Sequence, residues 1–213
     1  MTDENEIPKW KREHAAELAK AKRLQLERMK LPREALESAR NQTLAIDAVS
    51  SPFTLLVLSG SPGTGKTVAA VSWIADYVLA DENWPGPGSE LRMRGMPVFT
   101  TAAGLSRWDR YEQATMSKLL YSPRLVIDDL GVEYLDKNGF LTALIDEVVN
   151  ERYSGRRPLI MTTNLDVEGF RERYGNRVAD RIRQSGRFVG CGNASMRKPT
   201  ATPLRHWSEG RDE

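Results

Sequence analysis

Gly60-Ser61-Pro62-Gly63-Thr64-Gly65-Lys66-Thr67 decides how the rest of this chain is read. The spacing is G-x-x-x-x-G-K-[ST], the pattern of a loop that cradles phosphates. Its flanks supply the context the pattern needs. Thr54-Leu55-Leu56-Val57-Leu58-Ser59 is a short apolar run suited to a strand, and Val68-Ala69-Ala70-Val71-Ser72-Trp73-Ile74-Ala75 suits a helix. Gly60, Gly63 and Gly65 permit backbone angles that side chains forbid, so consecutive N–H groups can turn inward toward an anion. A helix starting near Gly65 adds the positive end of its dipole. Residues 60–68, Gly60 through Val68, therefore form the expected ATP-binding segment. Lys66 is expected to reach the β- and γ-phosphates, and the Thr67 hydroxyl to sit on Mg²⁺.

A second signal lies downstream. Leu125-Val126-Ile127 is an apolar strand from whose end two acids emerge, Asp128 and Asp129. Ligands in open α/β sheets bind at the carboxyl ends of strands. Asp128 is expected to hold Mg²⁺, directly or through water, and Asp129 to orient or polarise an attacking water. Leu159-Ile160-Met161-Thr162-Thr163-Asn164 ends a further strand in a polar amide. Asn164 has two readings: a hydrogen bond to the γ-phosphate or water, or a helix cap before Asp166-Val167-Glu168.

Composition bounds the remaining choices. A chain of 213 residues accommodates one sizeable domain plus an appendage. The formal net charge of +2 does not advertise a nucleic-acid surface, so any basic patch must come from local clustering. Cys191 is the single cysteine, and His14 and His206 are the only histidines. An internal disulfide and a Cys/His zinc site are thereby excluded. No apolar run approaches membrane-spanning length, and the acidic start Met1 to Glu6 is opposite to a secretory signal. The expected location is cytoplasmic.

Along the chain, strands alternate with helices, which predicts an α/β fold with a five-stranded parallel sheet covered on both faces. The expected strands are 54–59, 97–101, 124–129, 159–162 and 187–191. A charged, weakly amphipathic helix over 9–30 reads either as a solvated N-terminal helical extension or as an arm that docks a partner. Pro32 is expected to open a second helix running to about Val49. Gly155 stands where a helix-terminating glycine belongs. Residues 81–97, with Pro85-Gly86-Pro87-Gly88, read as an irregular loop, and residues 103–121 are expected to be helical.

The order of Gly-Ser-Pro-Gly-Thr-Gly-Lys-Thr, Val-Ile-Asp-Asp-Leu-Gly, Met-Thr-Thr-Asn and Arg177-Val178-Ala179-Asp180-Arg181 resembles the DnaC/IstB branch of AAA+ ATPases. The resemblance covers roughly residues 35–198. It implies a division into an N-terminal extension (1–34), an AAA+ ATPase domain (35–198) without a separate lid domain, and a tail (199–213). It also implies roles: Asn164 as sensor I, Arg181 as an arginine finger reaching a neighbouring subunit's nucleotide, and Arg197 as sensor II. The implied activity is ATP hydrolysis at subunit interfaces of a homo-oligomer that loads a replicative helicase onto single-stranded DNA. The alternative is an IstB-type transposition ATPase that remodels DNA and stimulates a transposase. One departure is Asp129, where many AAA+ proteins carry Glu.

Two further features stay open on the residues alone. Arg173, Arg177 and Arg181 recur at four-residue spacing, which also describes a solvated helix face. Arg107-Trp108-Asp109-Arg110-Tyr111 mixes cations with aromatics, as single-strand binders do; the same aromatics would equally serve to pack against the sheet. Lys118, Lys137, Arg156 and Arg157 are further candidates for such a surface.

Overall fold

The computed structural model describes residues 9–38, 43–80, 95–106, 113–132 and 139–196. Three helices come first: α1 (Lys9–Arg28), α2 (Arg33–Glu37) and α3 (Leu44–Ser50). Then follow β1 (Leu55–Ser59), α4 (Lys66–Ala80), β2 (Val98–Thr101), α5 (Ala102–Leu105), α6 (Gln113–Tyr121) and β3 (Leu125–Leu130). The rest comprises α7 (Phe140–Ser154), β4 (Leu159–Thr163), α8 (Val167–Tyr174), α9 (Asn176–Ser185) and β5 (Gly186–Gly190). All strand pairings are parallel, in the order β2-β3-β4-β1-β5. The five-stranded parallel sheet read from the sequence is therefore the one observed. Its first strand lies between the fourth and fifth, so the loop after β1 opens beside the ends of β4 and β5.

Strand alternation sorts the core into two layers. Leu55, Val57, Leu125, Ile127, Leu159 and Met161 face α5 to α9, packing with Leu105, Leu119, Ile145, Val149, Phe170 and Val178. Leu56, Leu58, Val126 and Ile160 face the opposite way, against Ala70, Val71, Ile74 and Val78 of α4. Because successive side chains leave a strand on opposite sides, a strand covered on both faces must be apolar throughout. β1 and β4 follow this through Leu58 and Met161, and every residue of both is buried, including the polar Ser59, Thr162 and Thr163 at their carboxyl ends.

The helix α4 is in turn covered from outside. Leu26, Leu31, Ala35, Ala45 and Ala48 are buried in the same layer as α4. Lys22, 6% exposed, donates from Nζ to Leu79 O at 2.8 Å, capping a carbonyl of the last turn of α4. The C-terminal half of α1 thus belongs to the core, and residues on both sides of position 34 share one apolar layer. Leu24 and Leu36 remain exposed.

Two expected helices differ in extent. The segment 32–49 contains two helices: Ser38 is extended (φ −64°, ψ 137°), and Thr43 restarts the helix by accepting the Ile46 N–H on its side chain. The expected helix 103–121 is present as α5 and α6, with 107–112 outside the described residues. Gly155 does follow α7 but keeps φ at −82°; the left-handed residue is Arg156, at φ 49°. Residues 81–94 lie outside the described residues. No helix among the described residues is long and apolar enough to cross a membrane.

On the α5–α9 side of the sheet sits a buried charged side chain held by carbonyl and hydroxyl oxygens. Arg152 is fully buried, and its guanidinium donates to Leu119 O, Leu120 O, Ser122 Oγ, Ser122 O and Pro158 O. It ties the end of α6 to the start of β4. Burial, with the charge of Arg157 next, pulls its pKa down to about 9, so it stays charged at neutral pH.

Candidate functional site

The phosphate loop leaves β1 at Ser59 with three glycines at positive φ: Gly60 (149°), Gly63 (86°) and Gly65 (85°). Lys66 opens α4, so the unpaired N–H groups of that helix face the loop. The Lys66 side chain is buried and turns back under the loop. Its ammonium donates to Gly60 O (2.7 Å), Ser61 O (2.9 Å) and Asn164 Oδ1 (3.1 Å). Thr64 Oγ1 donates to Ser61 O at 2.9 Å and stiffens the turn. Pro62 is exposed on the outside of the loop, while Val68 packs inward on the α4 layer.

Beside the loop, the next residue of α4 meets the end of β3. Thr67 Oγ1 lies 3.1 and 3.2 Å from the two carboxylate oxygens of Asp128. Thr162 Oγ1 on β4 donates to Asp128 Oδ1 at 2.6 Å. Burial pushes the Asp128 carboxyl above the usual carboxylate range, and the nearby Asp129 charge adds to it; the bonds from Thr162 and Thr67 and the charge of Lys66 work the other way. A hydroxyl and a carboxylate converging on one point form an all-oxygen donor set, which suits a hard cation such as Mg²⁺. Among the described residues no group of three or more His, Cys, Asp or Glu forms a cage. The fit is therefore to a metal that takes most of its ligands from phosphate and water, as Mg²⁺ does.

Asp129 follows at φ 58°, in the left-handed region, and its side chain is exposed. The register of β3 on β4 breaks here: Ile127 pairs with Met161 and Leu130 with Thr163, so Asp128 and Asp129 together oppose Thr162. This is a bulge, and it aims two successive acids that a regular strand would send to opposite faces. Asn164 lies just past β4. The cap of α8 is Asp166, whose side chain accepts the Gly169 N–H at 2.8 Å; the Asn164 amide is engaged with Lys66 instead.

The chain after β5 runs back along the loop. Gly192 O accepts the Ser61 N–H (3.2 Å), Asn193 Oδ1 accepts from Ser61 Oγ (3.1 Å), and Gly63 O accepts the Met196 N–H (2.9 Å). A Cβ added at Gly63 would overlap Ser195, and one at Gly65 would come within 2.6 Å of Met196 Cε. The glycines thus serve close approach as well as loop conformation. Arg197, the next residue, lies outside the described residues, as do Arg107 to Tyr111 and Lys137.

Arg181 is not gathered with these groups. It is on α9, with its guanidinium 3.1 Å from Asp146 Oδ1 on α7 and its side chain only 17% exposed. Arg177 reaches the other oxygen of Asp146 at 3.3 Å but is 72% exposed. Thr162, Asn193 and Ser195 were not singled out as site residues by motif and spacing. Thr162 carried one usable signal: a polar residue inside an otherwise apolar strand expected to neighbour the acidic one.

A parallel sheet in this order, with the glycine loop after β1 and paired acids near the end of β3, on the far side of the central β4, defines a P-loop NTPase of AAA+ architecture. Within that class the chain is DnaC-like. It is 30% identical over 156 residues to the replicative helicase loader DnaC of Escherichia coli (strain K12), a match that covers 70% of this chain. The chain spans 57% of that curated relative's length. In fold it is similar to the crystal structure of the DnaC helicase loader (TM-score 0.51, 21% identity, 73% of this chain and 95% of that one). It is also similar to that of DnaI (TM-score 0.54, 18% identity, 79% and 95%). No protein-family model matches the chain.

Proposed function

We propose that this chain binds and hydrolyses ATP and works as a loader of a replicative helicase onto single-stranded DNA. The observation that carries the ATP reading is the convergence of Lys66, Thr67, Asp128 and Asn164 at the carboxyl ends of β1, β3 and β4. Lys66 already bonds loop carbonyls and Asn164, which aims its ammonium at the place a β,γ-phosphate would occupy. Thr67 and Asp128 would hold Mg²⁺, which when bound neutralises charge on the phosphate oxygens. Asp129 and Asn164 are the groups proposed to orient an attacking water, and Arg197 is the proposed second sensor. Arg181 is the proposed trans-acting finger, which makes hydrolysis depend on assembly of a homo-oligomer.

The loader reading rests on similarity to the E. coli helicase loader over 156 residues. The partner is then a replicative helicase, and the cargo strand single-stranded DNA. A cytoplasmic setting fits both. The test is twofold. Titration calorimetry with Mg²⁺-ATP is expected to give saturable binding by the wild type. Co-purification with the cognate replicative helicase is expected to depend on ATP, and the complex to transfer the helicase onto a single-stranded circle. Saturable ATP binding without helicase capture, accompanied by stimulation of a transposase, would replace the loader with the transposition ATPase.

A further inference from the structure

We infer that Thr162 is the positioning residue of the acidic pair, and that one hydroxyl sets both carboxylates. The inference rests on the ATP and Mg²⁺ reading of the site above. A threonine hydroxyl has one proton to give and lone pairs to accept with. Thr162 spends its proton on Asp128 Oδ1 at 2.6 Å, and its lone pair accepts the backbone N–H of Asp129 at 2.9 Å. The donated proton fixes the rotamer of the proposed metal ligand. The accepted bond satisfies an N–H that the bulge removes from the regular ladder, and holds Asp129 in its left-handed conformation.

Geometry makes this a dedicated arrangement. Thr162 is fully buried, and Asp128 is 3% exposed, so water does not substitute for either bond. Thr162 is the single residue of β4 opposite two residues of β3, because the register steps from Ile127–Met161 to Leu130–Thr163. Asp128 is also gripped from its other side by Thr67. The carboxylate therefore sits between two hydroxyls, one of which belongs to the proposed metal site and one of which only orients. Thr163 does not share the role; its hydroxyl donates to Leu130 O and accepts the Leu165 N–H.

The test compares Thr162→Val, Thr162→Ala and Thr162→Ser in the full chain. Valine keeps the shape and removes the hydroxyl, while serine keeps the hydroxyl and removes a methyl. ATP affinity is measured by calorimetry in EDTA and again with Mg²⁺, so that the gain conferred by Mg²⁺ is the readout. Thr162→Val is expected to bind ATP without metal within about twofold of wild type, yet to lose about tenfold of the Mg²⁺ gain, the size typical for removing a partner that orients a metal ligand. Thr162→Ser is expected to retain the gain within about threefold. An undiminished Mg²⁺ gain in Thr162→Val overturns the inference, as does a serine variant as impaired as valine. If valine and alanine variants fail to fold while serine folds, the hydroxyl serves the fold rather than the metal, which also overturns it. A wild type whose ATP binding is indifferent to Mg²⁺, or absent, sinks the underlying reading and this inference together.

Discussion

Asn164 Oδ1 accepts from the Lys66 ammonium at 3.1 Å, joining the end of β4 to the first turn of α4 across 98 positions of sequence. The contact makes the two residues one unit with different duties. Lys66 supplies charge, while Asn164 only directs it. Lys66→Ala is expected to weaken Mg²⁺-ATP binding by about a hundredfold, as loss of one to two charge-assisted bonds implies. Asn164→Ala should bind ATP within about tenfold of wild type and lose turnover more than affinity. Calorimetry and steady-state phosphate release separate the two; equal effects of both variants on binding would contradict the division.

Asp146 holds Arg181 and Arg177 on neighbouring sides of one carboxylate. As a trans-acting group, Arg181 has to present its guanidinium beyond this pairing. Arg181→Ala is expected to lower hydrolysis by the assembled protein by about a hundredfold or more, the scale of a lost finger. Asp146→Ala should raise it a few-fold at saturating ATP, since the restraint is gone. Mixing Arg181→Ala with Asp128→Asn should restore part of the rate across mixed interfaces. An Asp146→Ala rate equal to wild type would mean the pair restrains nothing.

Arg152 satisfies carbonyls at the end of α6 and the start of β4 from inside the core. Its removal strands those acceptors where water does not reach. Arg152→Ala is expected to cost about 3 kcal/mol or more of stability. Lysine, one compact charge in place of a planar fork, should recover little of it. Urea unfolding of the two variants checks this, and near-wild-type stability for Arg152→Lys would refute the geometric argument.

Leu26 and Leu31 are 6% and 7% exposed and lie in the layer that covers α4. Leu26→Ala is expected to cost about 2–3 kcal/mol, at the lower end for buried leucines because the site is near the protein's edge. Removing residues 1–31 should lower the melting temperature markedly even with no partner present. Thermal melts of the truncated chain would test this, and an unchanged midpoint would make α1 a dispensable arm.

The strand–loop–helix at 54–75 and the acidic strand at 125–129 were legible because their physics is local. Apolar runs that end abruptly in glycines or paired acids need no distant information to be recognised. The N-terminal helix was harder. Its many Lys, Arg and Glu residues leave a weak apolar stripe, and only the position of α4 reveals that Lys22, Leu26 and the following Met29 have something to cover. The break in the expected helix 32–49 was also hidden, although Thr43, three residues before Ile46, is a residue type suited to capping.

By itself, the order of residues determined the parallel α/β architecture, the phosphate loop and the candidates Lys66, Thr67, Asp128 and Asn164. Backbone preference and burial period are written residue by residue. The tertiary structure alone decided that Thr162 stands opposite a bulge bearing both acids, that residues 191–196 line the loop, and that Asp146 engages Arg181. Each of these depends on which strands and helices become neighbours and in what register. That is set by packing two apolar layers on one sheet, a sum over the whole chain that no short stretch contains.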